Sequence, residues 1–141
     1  MPFVSKMVEI NGKKYLDGGI ADSIPLRFCQ QLGYDKIIVI LTRPLNYRKT
    51  PTNPLLFNAF YRRYPKLVER LTNRYAEYNR AVEDVIRLNE QGEIFVIRPS
   101  VTLPIRRIEK DVAKVQAMYD LGVKDAKTVI PALKRYLSEP F

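Results

Sequence analysis

Ile37-Ile38-Val39-Ile40-Leu41 is an unbroken apolar run, four of its five residues β-branched. Such a run fits a strand buried on both faces, as in a parallel sheet. Glu93-Ile94-Phe95-Val96-Ile97, stopped by Arg98-Pro99, reads as a second strand of the same kind. The stretches around these two runs have other patterns. Asn11-Gly12 separates Lys6–Ile10 from Lys13–Leu16, and both turn residues of a tight hairpin must accept positive φ, so a hairpin is predicted there. Ser23 is expected to cap a helix with Pro25 near its start, running through Leu26, Phe28, Cys29 and Leu32 to Gly33. Thr42-Arg43-Pro44 opens a loop rich in Pro and Asn. Leu55–Tyr64 predicts a short helix that Pro65 ends.

A long helix is predicted from Lys66 to about Gln91, closed by Gly92. Leu67, Leu71, Tyr75, Tyr78, Val82, Val85 and Ile86 fall on one stripe at helical spacing. Glu109–Leu121 and Asp125–Leu137 read as two further helices separated by Gly122, with a kink at Pro131. Strands alternating with helices predict an α/β fold with a mainly parallel sheet flanked by helices. Two central strands are too few for such a sheet, so its remaining strands are expected in a preceding segment.

Histidine is absent and Cys29 is the one cysteine. That excludes an internal disulfide, a Ser-His-Asp or Cys-His triad within these residues, and a zinc site of the usual His/Cys type. Cys29 reads as a small hydrophobe. No metal and no cofactor are expected. No apolar run approaches the ~20 residues that span a bilayer, and Met1-Pro2-Phe3-Val4-Ser5-Lys6 lacks the pattern of a secretory signal. A cytoplasmic protein, or one peripheral to the membrane, is expected. The net charge is +9 and unevenly spread. Between residues 43 and 80 nine basic groups face two acids, Glu69 and Glu77, which favours anionic partners.

Asp17-Gly18-Gly19 stands at the exit of the second hairpin strand. A carboxylate there, followed by two glycines that permit a sharp turn and close backbone approach, is a plausible catalytic position. Taken alone, the tripeptide reads as an ordinary turn. The longer block Lys13-Lys14-Tyr15-Leu16-Asp17-Gly18-Gly19-Ile20-Ala21-Asp22-Ser23-Ile24-Pro25-Leu26 closely resembles the aspartate motif of bacterial patatin-like phospholipases. Leu32-Gly33-Tyr34-Asp35 before the Ile37 run fits the same pattern, and Ser23 stands where Asn is commoner. Phe95–Ser100 and Met118–Gly122 also look like that family's C-terminal region, with less specificity.

The resemblance implies a patatin-like three-layer architecture, present here in its C-terminal part. Residues 1–48 would end the catalytic domain. Residues 49–141 would be a C-terminal helical region, with one strand near 93–98 packed on the same sheet. It implies a lipid acyl hydrolase in which Asp17 takes a proton directly from a nucleophilic serine, supported by Gly18 and Gly19. Ser5, Ser23, Ser100 and Ser138 are the serines, and none lies in Gly-x-Ser-x-Gly. The nucleophile and oxyanion hole are therefore expected upstream, and this chain alone is expected to be inactive.

Other features leave alternatives open. Arg62, Arg63, Arg70 and Arg74, interleaved with Tyr61, Tyr64, Tyr75 and Tyr78, fit peripheral membrane contact through segment 43–80 or a solvated helix face. Leu55-Leu56-Phe57 and Phe60-Tyr61 fit a lid, an acyl-binding surface or core. Arg98, Arg106 and Arg107 could bind phosphate. The expected partner is a lipid or other ester substrate. No specific nucleic acid is expected, although a basic nucleic-acid-binding module is a rival reading, as is a non-catalytic scaffold. An incomplete sheet would also favour self-association.

Overall fold

The computed structural model describes residues 7–106 and 108–139. Lys6 of the expected hairpin, Ser5 and Arg107 lie outside that range. The elements in chain order are β1 (Val8–Ile10), β2 (Lys13–Tyr15), a single 3-10 turn (Gly18–Ile20), α1 (Leu26–Gln31), β3 (Ile38–Ile40), α2 (Pro54–Tyr61), α3 (Pro65–Glu90), β4 (Phe95–Ile97) and α4 (Val112–Ser138).

The expected mainly parallel sheet with helices on both faces is not formed. About 53% of the structure is helical, and its described strands form two separate two-stranded sheets. One is the antiparallel hairpin β1–β2, with Val8 opposite Tyr15. The other is the parallel pair β3–β4, with Ile38 opposite Phe95 and Ile40 opposite Ile97. Three-residue strands in pairs cannot make the central layer of a three-layer fold, which needs a wider sheet. Nor is β3 buried on both faces, because Ile40 is 72% exposed. A β-branched run selects extended backbone, but it does not supply the layers that would cover it.

The chain divides into two compact units. The first comprises the residues up to Phe28 together with Arg48–Asp84. Its core joins Ile20, Phe57, Val68 and Leu71, with Leu16, Tyr61 and Leu67 packed against them. Asn11 and Gly12 adopt φ of 50° and 72°, so the tight turn forms where the pair predicts it. Lys14 Nζ donates to Tyr64 Oη at 3.0 Å, which raises the Lys14 pKa and ties the hairpin to the start of α3. Lys49 is held by Asn79 through two hydrogen bonds. Its N–H donates to Asn79 Oδ1 at 2.8 Å, and its carbonyl accepts from Asn79 Nδ2 at 3.0 Å. The Lys49 ammonium lies 3.8 Å from the Tyr78 ring centre.

The second unit comprises Cys29–Tyr47 and the residues from Val85 onward. Tyr136 of α4 binds the start of both strands of its sheet. Its hydroxyl accepts from Ile37 N at 3.2 Å and donates to Glu93 O at 3.1 Å. Its ring packs 5.6 Å from that of Phe95, and the Lys36 ammonium lies 4.7 Å from its centre. Asn89 Oδ1 accepts from Val96 N at 3.1 Å, fixing β4 to the end of α3.

Several helix ends differ from expectation. Pro65 opens α3 instead of only closing α2, since a proline at the first helical position gives up no bond. The two expected C-terminal helices are one, with Gly122 and Pro131 both inside α4. A mid-helix glycine costs about 1 kcal/mol relative to alanine, which a helix of 27 residues absorbs. Asp111 caps α4, accepting from Ala113 N and Lys114 N. Along α3 the buried positions include Val68 and Leu88 beside Leu71, Val82 and Val85, while Leu67, Tyr75, Tyr78 and Ile86 are half-buried. Cys29 is partly buried.

Candidate functional site

Leu16 separates Asp17 from β2, and the backbone then folds into the Gly18–Ile20 turn. Asp17 is the cap of that turn: its Oδ1 accepts from Gly19 N at 2.9 Å, and its carbonyl accepts from Ile20 N at 3.0 Å. Asx capping of this kind fixes the carboxylate relative to the backbone. Asp17 and Gly18 are exposed, Gly19 is half-buried and Ile20 enters the core. The Asp17 carboxyl is held below the ordinary carboxylate range. The Gly19 N–H lowers it and, more weakly, the Arg74 charge does so too. It is therefore ionised at neutral pH.

The two glycines serve different needs. Neither has positive φ. A Cβ at Gly18 would meet nothing within 4 Å, whereas one at Gly19 would sit 3.3 Å from Asp17 Oδ1 and 3.7 Å from Arg74 Nη2. Close approach of the carboxylate thus explains Gly19. Nothing in the structure requires glycine at position 18.

The turn is held from outside as well. Gly19 O accepts from Arg74 Nε at 2.9 Å and from Ser23 Oγ at 2.8 Å. Ser23, expected to cap α1, spends its hydroxyl on this carbonyl instead. Asp22 Oδ1 accepts from Ile24 N at 3.0 Å before α1 begins at Leu26. Lys49 Nζ lies 3.4 Å from Ser23 Oγ. Arg74 and Lys49 thus belong to this cluster, where sequence reasoning counted them in a basic segment. No local signal marks them, because the contact between Arg74 and Gly19 spans 55 positions.

The other expected residues belong to the second unit or fall outside the described residues. Arg98 is half-buried in the second unit, Arg106 is exposed, and Arg107 is outside the described residues. Ser138 Oγ donates to Arg135 O at 3.0 Å. Ser100 N donates to Asp125 Oδ2 at 2.8 Å. Among the described residues no three His, Cys, Asp or Glu side chains are grouped to hold a metal ion, and no helix is long and apolar enough to cross a membrane.

Chemically, the cluster offers an oriented, ionised carboxylate on a rigid turn, backed by a guanidinium. It can accept a proton or a hydrogen bond from a hydroxyl brought to it. No curated protein and no solved structure matches the chain. A family model described as a domain of unknown function, DUF6363, matches residues 64–138, a span that includes Arg74 and stops short of Asp17. Since that match covers more than half of the sequence, the chain belongs to the DUF6363 family.

Proposed function

We propose that this chain is the C-terminal portion of a patatin-like serine acyl hydrolase acting on lipid esters, with Asp17 as the base of a Ser–Asp dyad. The nucleophile would come from a segment preceding these residues. The observation that carries the proposal is the Asp17 carboxylate fixed by Gly19 N–H on a turn that Arg74 and Ser23 clamp. It coincides with the block Lys13–Leu26 on which the resemblance rests. In such a dyad the serine proton passes to Asp17 as the hydroxyl oxygen attacks the ester carbonyl, and it returns to the departing alcohol. The absence of histidine is compatible with this scheme, because no imidazole relay is needed. The proposal draws on the geometry of the Asp17 turn and not on a wide parallel sheet. It places the parent protein in the cytoplasm, in contact with lipid.

The test is hydrolysis of a fluorogenic phospholipid by the parent polypeptide and by its Asp17→Asn form, both checked for folding by circular dichroism. Removing a general base should lower kcat by roughly 10²–10⁴-fold. Equal turnover would make Asp17 a turn residue, and no turnover in either form would favour a non-catalytic scaffold. The 141-residue chain alone should be inactive, and serine-dependent turnover by it would refute the missing-nucleophile reading.

A further inference from the structure

α2 shows water a contiguous apolar arc. Its inward side is Phe57, buried in the first unit's core, with Tyr61 packed beside it. At 100° per residue the outward arc runs through Leu55, Ala59, Leu56 and Phe60. Leu55 is 72% exposed, Leu56 48% and Phe60 70%. Asn58 is the polar residue on α2, and an apolar outward arc of this kind normally belongs against a core or at a membrane. Here it stands at the surface.

The charge around it is one-sided. Between Arg48 and Val68 the sequence holds Arg48, Lys49, Arg62, Arg63 and Lys66 and no acidic residue. Arg62, Arg63 and Lys66 are exposed and form the corner where α2 passes into α3. The first turn of α3 has no acidic residue, so the positive end of the helix adds to theirs. The structure also sorts the arginines that sequence reasoning grouped together. Arg70 pairs with Glu77 at 3.0 Å and Arg74 holds Gly19 O, so the exposed cations that accompany the apolar arc are those of the corner.

We infer that α2 and the Arg62–Lys66 corner form a docking surface for an anionic lipid bilayer. Leu55, Leu56 and Phe60 enter the boundary between headgroups and acyl chains, and Arg62, Arg63 and Lys66 meet lipid phosphates. Apolar insertion combined with basic flanks is the pairing that interfacial helices use. A polynucleotide would be held by the cations alone and would leave the Leu55–Phe60 arc in water.

The experiment is flotation of the 141-residue chain with vesicles of phosphatidylcholine, with or without phosphatidylglycerol. Binding should require the anionic lipid and weaken with salt. Arg62→Gln, Arg63→Gln and Lys66→Gln together should weaken partitioning on the order of 100-fold, about fivefold for each charge. Leu55→Ser with Phe60→Ser should lower it by about tenfold while leaving the fold intact, since both side chains are exposed. Equal binding to neutral vesicles, or unchanged binding by either variant, would overturn the inference. So would RNA binding that persists in the serine variant while vesicles are ignored. The readout needs no turnover, so Asp17→Asn should float like the unmodified chain whether or not Asp17 is a base.

Discussion

Gly19 O is the point where two distant parts of the first unit meet, and a double-mutant cycle can measure that meeting. The carbonyl accepts from Arg74 Nε at 2.9 Å and from Ser23 Oγ at 2.8 Å. Arg74→Met keeps the apolar stem and removes one donor, and Ser23→Ala removes the other. Each single change leaves the carbonyl one partner, so each should cost about 1 kcal/mol, the net worth of one hydrogen bond. The double change strips both partners from a half-buried carbonyl. It adds a penalty near the lower end of the roughly 1–3 kcal/mol charged for an unsatisfied buried polar group, because water reaches Gly19 in part. The double variant should therefore lose about 3 kcal/mol, some 1 kcal/mol more than the sum of the singles. The 3.4 Å contact of Lys49 Nζ with Ser23 Oγ is lost in the single and the double alike, so it drops out of the cycle. In urea, with m of about 1.5 kcal/mol/M, the midpoint should fall by about 0.7 M in each single and about 2 M in the double, with m unchanged. Additivity within about 0.3 kcal/mol would mean that the two donors do not share this carbonyl, and the clamp would have to be abandoned.

Gly12→Ala should destabilise by about 1–2 kcal/mol through backbone strain alone, since φ is 72° and a Cβ there meets nothing within 4 Å. An unchanged urea midpoint would exclude the left-handed turn. Tyr136→Phe keeps the ring against Phe95 but removes the partner of Ile37 N and Glu93 O. It should cost about 1–3 kcal/mol and speed hydrogen exchange of the Ile37 amide, and unaltered exchange would show that the hydroxyl does not bridge the strands. Glu109 has a carboxyl lowered by the backbone N–H of Asp111, then by those of Arg106 and Lys110. A lowered folded-state pKa means stability present above the ordinary value of 4.5 and lost as pH falls through the folded value below it. Order at the entry to α4, read from amide shifts of Lys110 and Asp111, should therefore decline below pH 4.5, and Glu109→Gln should abolish that pH dependence.

Local signals in the sequence were readable and distant ones were not. Asn11-Gly12 names its own turn, and Gly33 and Gly92 take φ of 71° and 77° where helix ends were expected. The α3 stripe was read one residue off at Leu67 and stopped short of Leu88, because Val68 and Leu88 share its face and apolar neighbours blur the phase. What failed was pairing. The runs at Ile37–Leu41 and Glu93–Ile97 announce extended backbone, yet nothing in them says that, among the described residues, they form a two-stranded sheet with each other and lie open enough to expose Ile40. At the candidate site Asp17 was legible from its position after a hairpin. Arg74, Lys49 and Asn79 were not, because the bonds that recruit them cross 55, 26 and 30 positions.

The Tyr136 bridge also has a temporal side. Its hydroxyl reaches Ile37 across 99 residues of chain. A ribosome releasing the chain from its first residue therefore delivers β3 long before β4, and delivers the tyrosine that secures both strands later still. Loop closure over that distance is entropically slow compared with forming the hairpin or α3. Throughout that interval the Ile37–Leu41 segment is an unpaired apolar strand, the kind of surface that chaperones hold and that nascent chains aggregate through. In the nascent protein, the second unit is a late product of synthesis, completed only once its C-terminal helix has emerged.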